Sequence, residues 1–145
     1  MNAVLFVLAV NLAVILACAG LFFLLRAPPP DAMPDPPALL AVFHAEYPDA
    51  RPCDSVLADD GRAGLIWLAD GAVGLVAGAG RHWRVRRLDS VAQCATRIAG
   101  EALVLRFRDF AWPSARLVLC DAAVRRRWCE RIAQTTTPDR FQEEC

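Results

Sequence analysis

The spacing of apolar residues takes three forms along this chain, and each predicts its own kind of element. From Ala3 to Leu25 there is almost no alternation. Fifteen of these 23 residues are Val, Leu, Ile or Phe, Asn11 is the only clearly polar one, and none is Lys, Arg, Asp or Glu. As a helix rising 1.5 Å per residue the run is about 35 Å long, against a hydrocarbon core of about 30 Å. A secretory signal needs a basic leading region and an apolar core of about 7–15 residues. This chain has no Lys or Arg before Arg26. The stretch "VILACAG" could be read as a lipoprotein cleavage site at Cys18, but "AGLFFLL" continues the hydrocarbon pattern where a soluble segment should begin. Residues 1–26 are therefore expected to be an uncleaved single-span anchor, meeting lipid through residues 3–25, with Cys18 as a small apolar residue.

Beyond residue 38 the apolar runs shorten and turn signals recur about every ten residues, at Gly61, Gly71, Gly80, Ser90 and Gly100. Short apolar runs between such turns predict an antiparallel meander. "GLIWL" and "AVGLVA" are nearly continuous, as in covered strands. "HWRVRRL" alternates, with Trp83 and Val85 expected on the core face and Arg84 and Arg86 facing water. "LVLRFR" places Leu103, Leu105 and Phe107 opposite Val104, Arg106 and Arg108, and a last strand falls at "RLVL". Cys94 alternates with Ala92, Thr96 and Ile98 and is expected in the core.

The period then changes to that of a helix. In "DAAVRRRWCERIAQ" Asp121 is a suitable N-cap, and Val124, Trp128 and Ile132 form one apolar stripe. Arg125, Arg126, Arg127, Glu130 and Arg131 fall on the outer side. A shorter helix is expected from Ala38 to about Glu46, stopped by Pro48. Between anchor and domain, "RAPPPDAMPDPP" holds six of the ten prolines, a composition that favours an extended polyproline stalk. The expected organisation is an anchor (1–26), a stalk (27–37), a β domain with a C-terminal helix (38–134) and a polar tail (135–145). The core is expected to include Trp67, Trp83, Leu105, Phe107 and Trp128.

The strand series from "GRAGLIWL" to "ARLVLC", followed by the helix "AAVRRRWCERI" with Trp128, resembles a pleckstrin-homology-like domain over residues 55 to 134. The resemblance is one of pattern, without a shared motif. It implies a small α+β fold in which two antiparallel sheets form an open barrel closed by the amphipathic helix, and it implies a binding platform more than an enzyme.

Charge changes the picture in one region. Residues 81–131 carry twelve Arg and five acids, although the chain as a whole is neutral. Arg81, Arg84, Arg86 and Arg87 in "RHWRVRR" are the candidate ligand or lipid contacts, since arginines near an anionic bilayer gain about 1 kcal/mol each. The competing and preferred reading is a strand face whose arginines pair with neighbouring acids. The near-neutral domain excludes nucleic acid as an expected partner. All sixteen basic residues are Arg, as a GC-rich coding sequence produces.

No Cys-x-x-Cys or His-x-x-x-His spacing occurs, so no metal or cofactor is expected. Cys53 with His44 or His82 is the only conceivable nucleophile pair, and nothing distinguishes it. The acidic turns at Asp59-Asp60-Gly61 and Asp70-Gly71 are explained by hairpin geometry. Phe110 and Trp112 in "DFAWPS" form an interaction patch if both are exposed, or fold onto the sheet. Arg26 and an odd set of soluble cysteines (53, 94, 120, 129 and 145), as found where thiols stay reduced, place the domain on the cytoplasmic side of a bacterial inner membrane. The expected role is a non-catalytic binding or scaffolding module with a protein partner. An extracytoplasmic envelope assembly component and a small thiol-dependent enzyme are the alternatives.

Overall fold

The computed structural model describes residues 2–25, 30–89 and 94–135. Helix α1 runs from Asn2 to Leu25. Its stretch from Leu5 to Leu25, with a mean hydropathy of 2.6, is long and apolar enough to cross a membrane. The one polar side chain within it is satisfied locally, because Asn11 Nδ2 donates to the Val7 carbonyl one turn back at 2.8 Å. Arg26 lies outside the described residues.

The proline-rich stretch is not a free stalk along its whole length. Met33 is buried, and its N–H donates to the Gly61 carbonyl at 2.8 Å. Pro30 lies over Gly78, 3.0 Å from where a β-carbon on that glycine would sit. The last prolines are helical. Helix α2 spans Pro36–Glu46, capped by Asp35, whose carboxylate accepts from the Ala38 N–H. Proline suits the first helical positions because its missing N–H would have no partner there. The helix therefore begins two residues before the expected Ala38, and chain packed on the domain begins at Pro30.

Seven strands follow: β1 (Pro52–Leu57), β2 (Ala63–Leu68), β3 (Val73–Ala79), β4 (His82–Leu88), β5 (Cys94–Ala99), β6 (Ala102–Phe107) and β7 (Ser114–Val118). They form one sheet in the order β1-β2-β3-β4 and a second in the order β5-β6-β7, antiparallel throughout. Helix α3 (Ala122–Gln134) ends the described chain, with Asp121 capping the N–H groups of Ala123 and Val124. The fold is a small α+β one, and no closed barrel forms among the described residues. At the turns, Gly61 and Gly71 take the positive φ angles (65° and 78°) that the hairpins require.

The first sheet is covered on both faces, which is why β2 and β3 read as unbroken apolar runs. On one face Leu39 and Phe43 of α2 pack with Ile66, Leu68 and Val76. Glycine makes this approach possible: a β-carbon on Gly64 would lie 2.5 Å from Leu39, and one on Gly74 would lie 2.5 Å from Phe43. The other face, with Leu65, Trp67, Val73 and Leu75, meets Leu103, Leu105 and Leu117 of the second sheet and Trp128 and Ile132 of α3. Val124, Trp128 and Ile132 thus form the expected stripe.

Trp83 lies on its expected apolar face but in the smaller core, and Arg131 departs from its expected face. Trp83 is only half-buried and packs with Val85 in the α2 layer, away from the inter-sheet core. Arg131 does not lie on a free outer face; its guanidinium sits 5.1 Å from the Trp128 ring centroid and 5.6 Å from that of Trp67, and pairs with Asp54. Among the described residues the second sheet is covered on one face, and on the other only Ala102 at its end is buried. Its inner positions are mostly buried, whereas Ala95, Arg97, Arg106, Ser114 and Arg116 on the other face are exposed.

Candidate binding surface

The alternation of β4 holds, with Arg84 and Arg86 on one face and Trp83 and Val85 on the other, but only Arg84 is exposed while Arg86 is half-buried. Arg86 pairs across β3 with Leu75 and Arg84 with Ala77, so both lie on the side facing the second sheet. The Arg86 guanidinium stacks 4.8 Å from the Phe107 centroid and 5.1 Å from that of Trp112, and binds the Asp109 carboxylate. That ion pair, with the Ala111 N–H also donating to Asp109, holds the Asp109 carboxyl below the usual carboxylate range. Arg84 donates to the Ala111 carbonyl at 2.8 Å. Together these contacts fasten the loop 109–113 to the first sheet.

Arg87 is also occupied. Its Nε meets Asp89 at 2.6 Å and its second nitrogen binds Asp70, interactions that raise its already high pKa, the Asp89 hydrogen bond foremost. An open cleft of about 360 Å³ is lined by Arg86, Arg87, Arg108 and Asp109, but two of its three arginines are already paired. Among the four lipid candidates Arg81 alone is exposed and without an ion pair or side-chain hydrogen bond among the described residues.

The loop after β6 divides its aromatics. Trp112 folds inward, its ring 5.7 Å from that of Phe107, while Phe110 is fully exposed.

A second group of arginines comes together only through strand register. On the bare face of the second sheet Arg97 lies opposite Val104, and Val104 opposite Arg116. Arg106, opposite Ala95 and Ser114, occupies the neighbouring row of the same face. Such diagonal positions are about 7–8 Å apart. All three arginines are exposed, none forms an ion pair among the described residues, and no carboxylate stands on that face of the three strands. The residues sit in three separate segments, so no local sequence signal announces the cluster.

The cysteines differ in state. Burial pushes the Cys94 thiol up to about 11. The Asp59 carboxylate raises that of Cys120, while the Cys120 N–H, donating at 2.6 Å, holds Asp59 below its ordinary value. Cys129 contacts the Thr96 hydroxyl at 3.6 Å. Cys53 is disulfide-bonded, contrary to the expectation that every soluble thiol is reduced. Ile98 is largely exposed, so the stripe begun by Cys94 does not stay in the core, and Ala92 lies outside the described residues. Among the described residues no three His, Cys, Asp or Glu side chains form a group able to hold a metal ion.

Compared with known proteins, the chain matches no family model, no curated protein and no solved structure.

Proposed function

We propose that this chain is a membrane-anchored, non-catalytic binding or scaffolding module of bacterial inner-membrane type. The observation that carries the reading is the packing of Pro30 and Met33 on the first sheet, which leaves only residues 26–29 between the domain and the end of α1. A chain segment of five residue steps reaches at most about 18 Å, so the domain is held at the membrane surface once α1 is inserted. Two antiparallel sheets followed by a C-terminal helix also support a pleckstrin-homology-like architecture.

The non-catalytic reading is supported at the candidate nucleophile itself, because Cys53 is disulfide-bonded. A nucleophilic cysteine needs its thiolate, and the surroundings of Cys94 and Cys120 both favour the protonated thiol. A protein partner is best met through Phe110, the most exposed large apolar side chain outside α1.

The test is made on the full chain. It should remain in membranes after a carbonate wash with its N-terminal residues intact, and a photo-crosslinking residue at position 110 should capture a discrete protein. A mature product beginning at Cys18 or later refutes the anchor. Crosslinking to lipid alone refutes the protein partner at Phe110.

The disulfide at Cys53 favours a second reading, in which the domain faces an oxidising compartment as an envelope assembly component. Arg26 favours the cytoplasmic side. Reporter fusions at the C-terminus, active on one side of the membrane only, decide between the two.

A further inference from the structure

We infer that the bare face of the second sheet, centred on Arg97, Arg106 and Arg116, lies against the anionic phospholipid surface of the bilayer that holds α1. The inference rests on the proposed anchor and adds to it a defined orientation of the domain.

Three observations converge. The first is an unbalanced charge: three exposed arginines share one sheet face with Ala95, Ala99, Val104, Ser114 and Val118, and no carboxylate stands among them. Like charges at neighbouring positions on a sheet repel. At Arg86, Arg87 and Arg131 the fold neutralises the charge by pairing. On this face three arginines stand together unpaired, which suits it to an external anion.

The second is shape. The exposed side chains on this face are Ala95, Arg97, Arg106, Ser114 and Arg116, and among the described residues no helix covers it. Such a face fits an extended charged surface better than a compact ligand.

The third is position. Pro30, where described chain resumes after α1, rests on Gly78. Gly78 borders a groove of about 490 Å³ whose other wall includes Ser114, Arg116 and Val118 of β7. Pro30 itself lies on the α2 side of the first sheet, so the tether arrives at the end of that sheet next to β7, and the arginine face meets the bilayer when the domain tips about this point. With Pro30 no more than about 18 Å from the end of α1 and headgroups occupying the first 5–8 Å or so of that gap, the tether keeps the domain close enough that rotation about Pro30 brings the arginine face within the Debye length of about 8 Å at physiological salt. The attraction then holds the face down.

The experiment uses the full chain, methyl-labelled at valine, in lipid nanodiscs containing a gadolinium-chelate headgroup lipid. Val104 and Val118 lie on the arginine face, and Val42 lies on α2 beyond the opposite side of the first sheet. In discs of mixed zwitterionic and anionic lipid, relaxation enhancement should be about threefold larger at Val104 and Val118 than at Val42, as expected for a surface-attracted basic face. The difference should collapse in purely zwitterionic discs, at high salt, and in the combined variant R97Q/R106Q/R116Q, whose buried methyl signals should stay in place.

Equal enhancement at all three valines, or a maximum at Val42, overturns the docking face while leaving the anchor intact. Failure of the chain to enter discs overturns the anchor and the inference together. Displacement of the face from anionic discs by a polyglutamate peptide at low concentration overturns the lipid assignment in favour of an acidic protein.

Discussion

Replacing Trp128 by Ala tests how the domain is held together. Trp128 is the largest side chain with no solvent exposure, and it sits where α3 meets both sheets. A buried indole removes about 150–250 Å² from water, worth about 4–6 kcal/mol at 25 cal/mol per Å² as an upper bound. Measured Trp-to-Ala replacements in cores cost about 3–5 kcal/mol. The same change deprives Arg131 of one of its two aromatic neighbours, a further loss of about 0.5–1 kcal/mol. For a domain whose total stability is about 5–15 kcal/mol, this is a large fraction. Arg126, exposed on the same helix, is the matched control, and Arg126→Ala should stay within about 0.5 kcal/mol. Trp128→Phe separates area from polarity. The buried Nε1 has no hydrogen-bond partner among the described residues, so deleting it recovers a desolvation cost of about 1–3 kcal/mol, and this variant should lie within about 2 kcal/mol of the parent. Urea unfolding of the full chain in detergent micelles, followed by fluorescence of the remaining tryptophans, provides the measurement. Equal midpoints for Trp128→Ala and Arg126→Ala would refute the placement of α3.

Other positions give equally direct tests. Gly74→Ala should lower the urea midpoint by the equivalent of about 1–3 kcal/mol, the usual cost of overpacking, because its β-carbon would collide with Phe43; Ala at Gly80, where nothing lies within 4 Å, meets no such collision and only the strain of its positive φ. The Asp109 carboxyl is depressed by Arg86, so its contribution is present above about pH 4 and lost as pH falls through the lower folded-state value. Acid titration should therefore change Trp112 fluorescence as Arg86 lets go, and Asp109→Asn should remove that step. Alkylation of the folded chain at pH 8 should leave Cys94 unmodified, since its thiol is pushed up to about 11; Cys53 should react only after unfolding with a reductant, and its labelling without reductant would contradict the disulfide.

Periodicity made the anchor, most strands and the stripe of α3 legible, because each reports which side of an element meets apolar surroundings. It failed where a residue's partner lies elsewhere in the chain. For "RHWRVRR" the preferred reading, arginines paired with acids, holds at Arg86 and Arg87, but which acids do so was not legible, because Asp70, Asp89 and Asp109 come from turns and loops. Arg97, Arg106 and Arg116 look like isolated solvent positions until register places them side by side. The proline run was read by composition as a stalk, although Asp35-Pro36-Pro37 has the form of a capped helix start and Met33 is an apolar residue amid polar ones. Strand β1 carries no clear strand signal, because "PCDSVL" opens on Pro and breaks its register between Pro52 and Asp54. The glycines at 64 and 74 carry no turn signal; what they provide is room for Leu39 and Phe43.

The uneven covering of the two sheets ties these features to one another. The first sheet is closed on one face by α2 and the packed segment from Pro30, which shortens the tether, and on the other by the second sheet. The second sheet keeps one open face and places unpaired arginines there. Those two properties reinforce each other in the proposed arrangement, because a basic face gains from lipid only when its tether holds it within a few Debye lengths. Lengthening the tether should therefore separate them. Inserting about ten Gly/Ser residues after Arg26 lets the domain move away by a root-mean-square distance of about 15–20 Å. The relaxation difference between Val104 and Val42 should then fall toward unity at physiological salt, while the urea midpoint stays unchanged because no packed residue is altered. A difference that persists at full size would mean that the face binds lipid without help from the tether, and the role assigned to Pro30 and Met33 would be wrong.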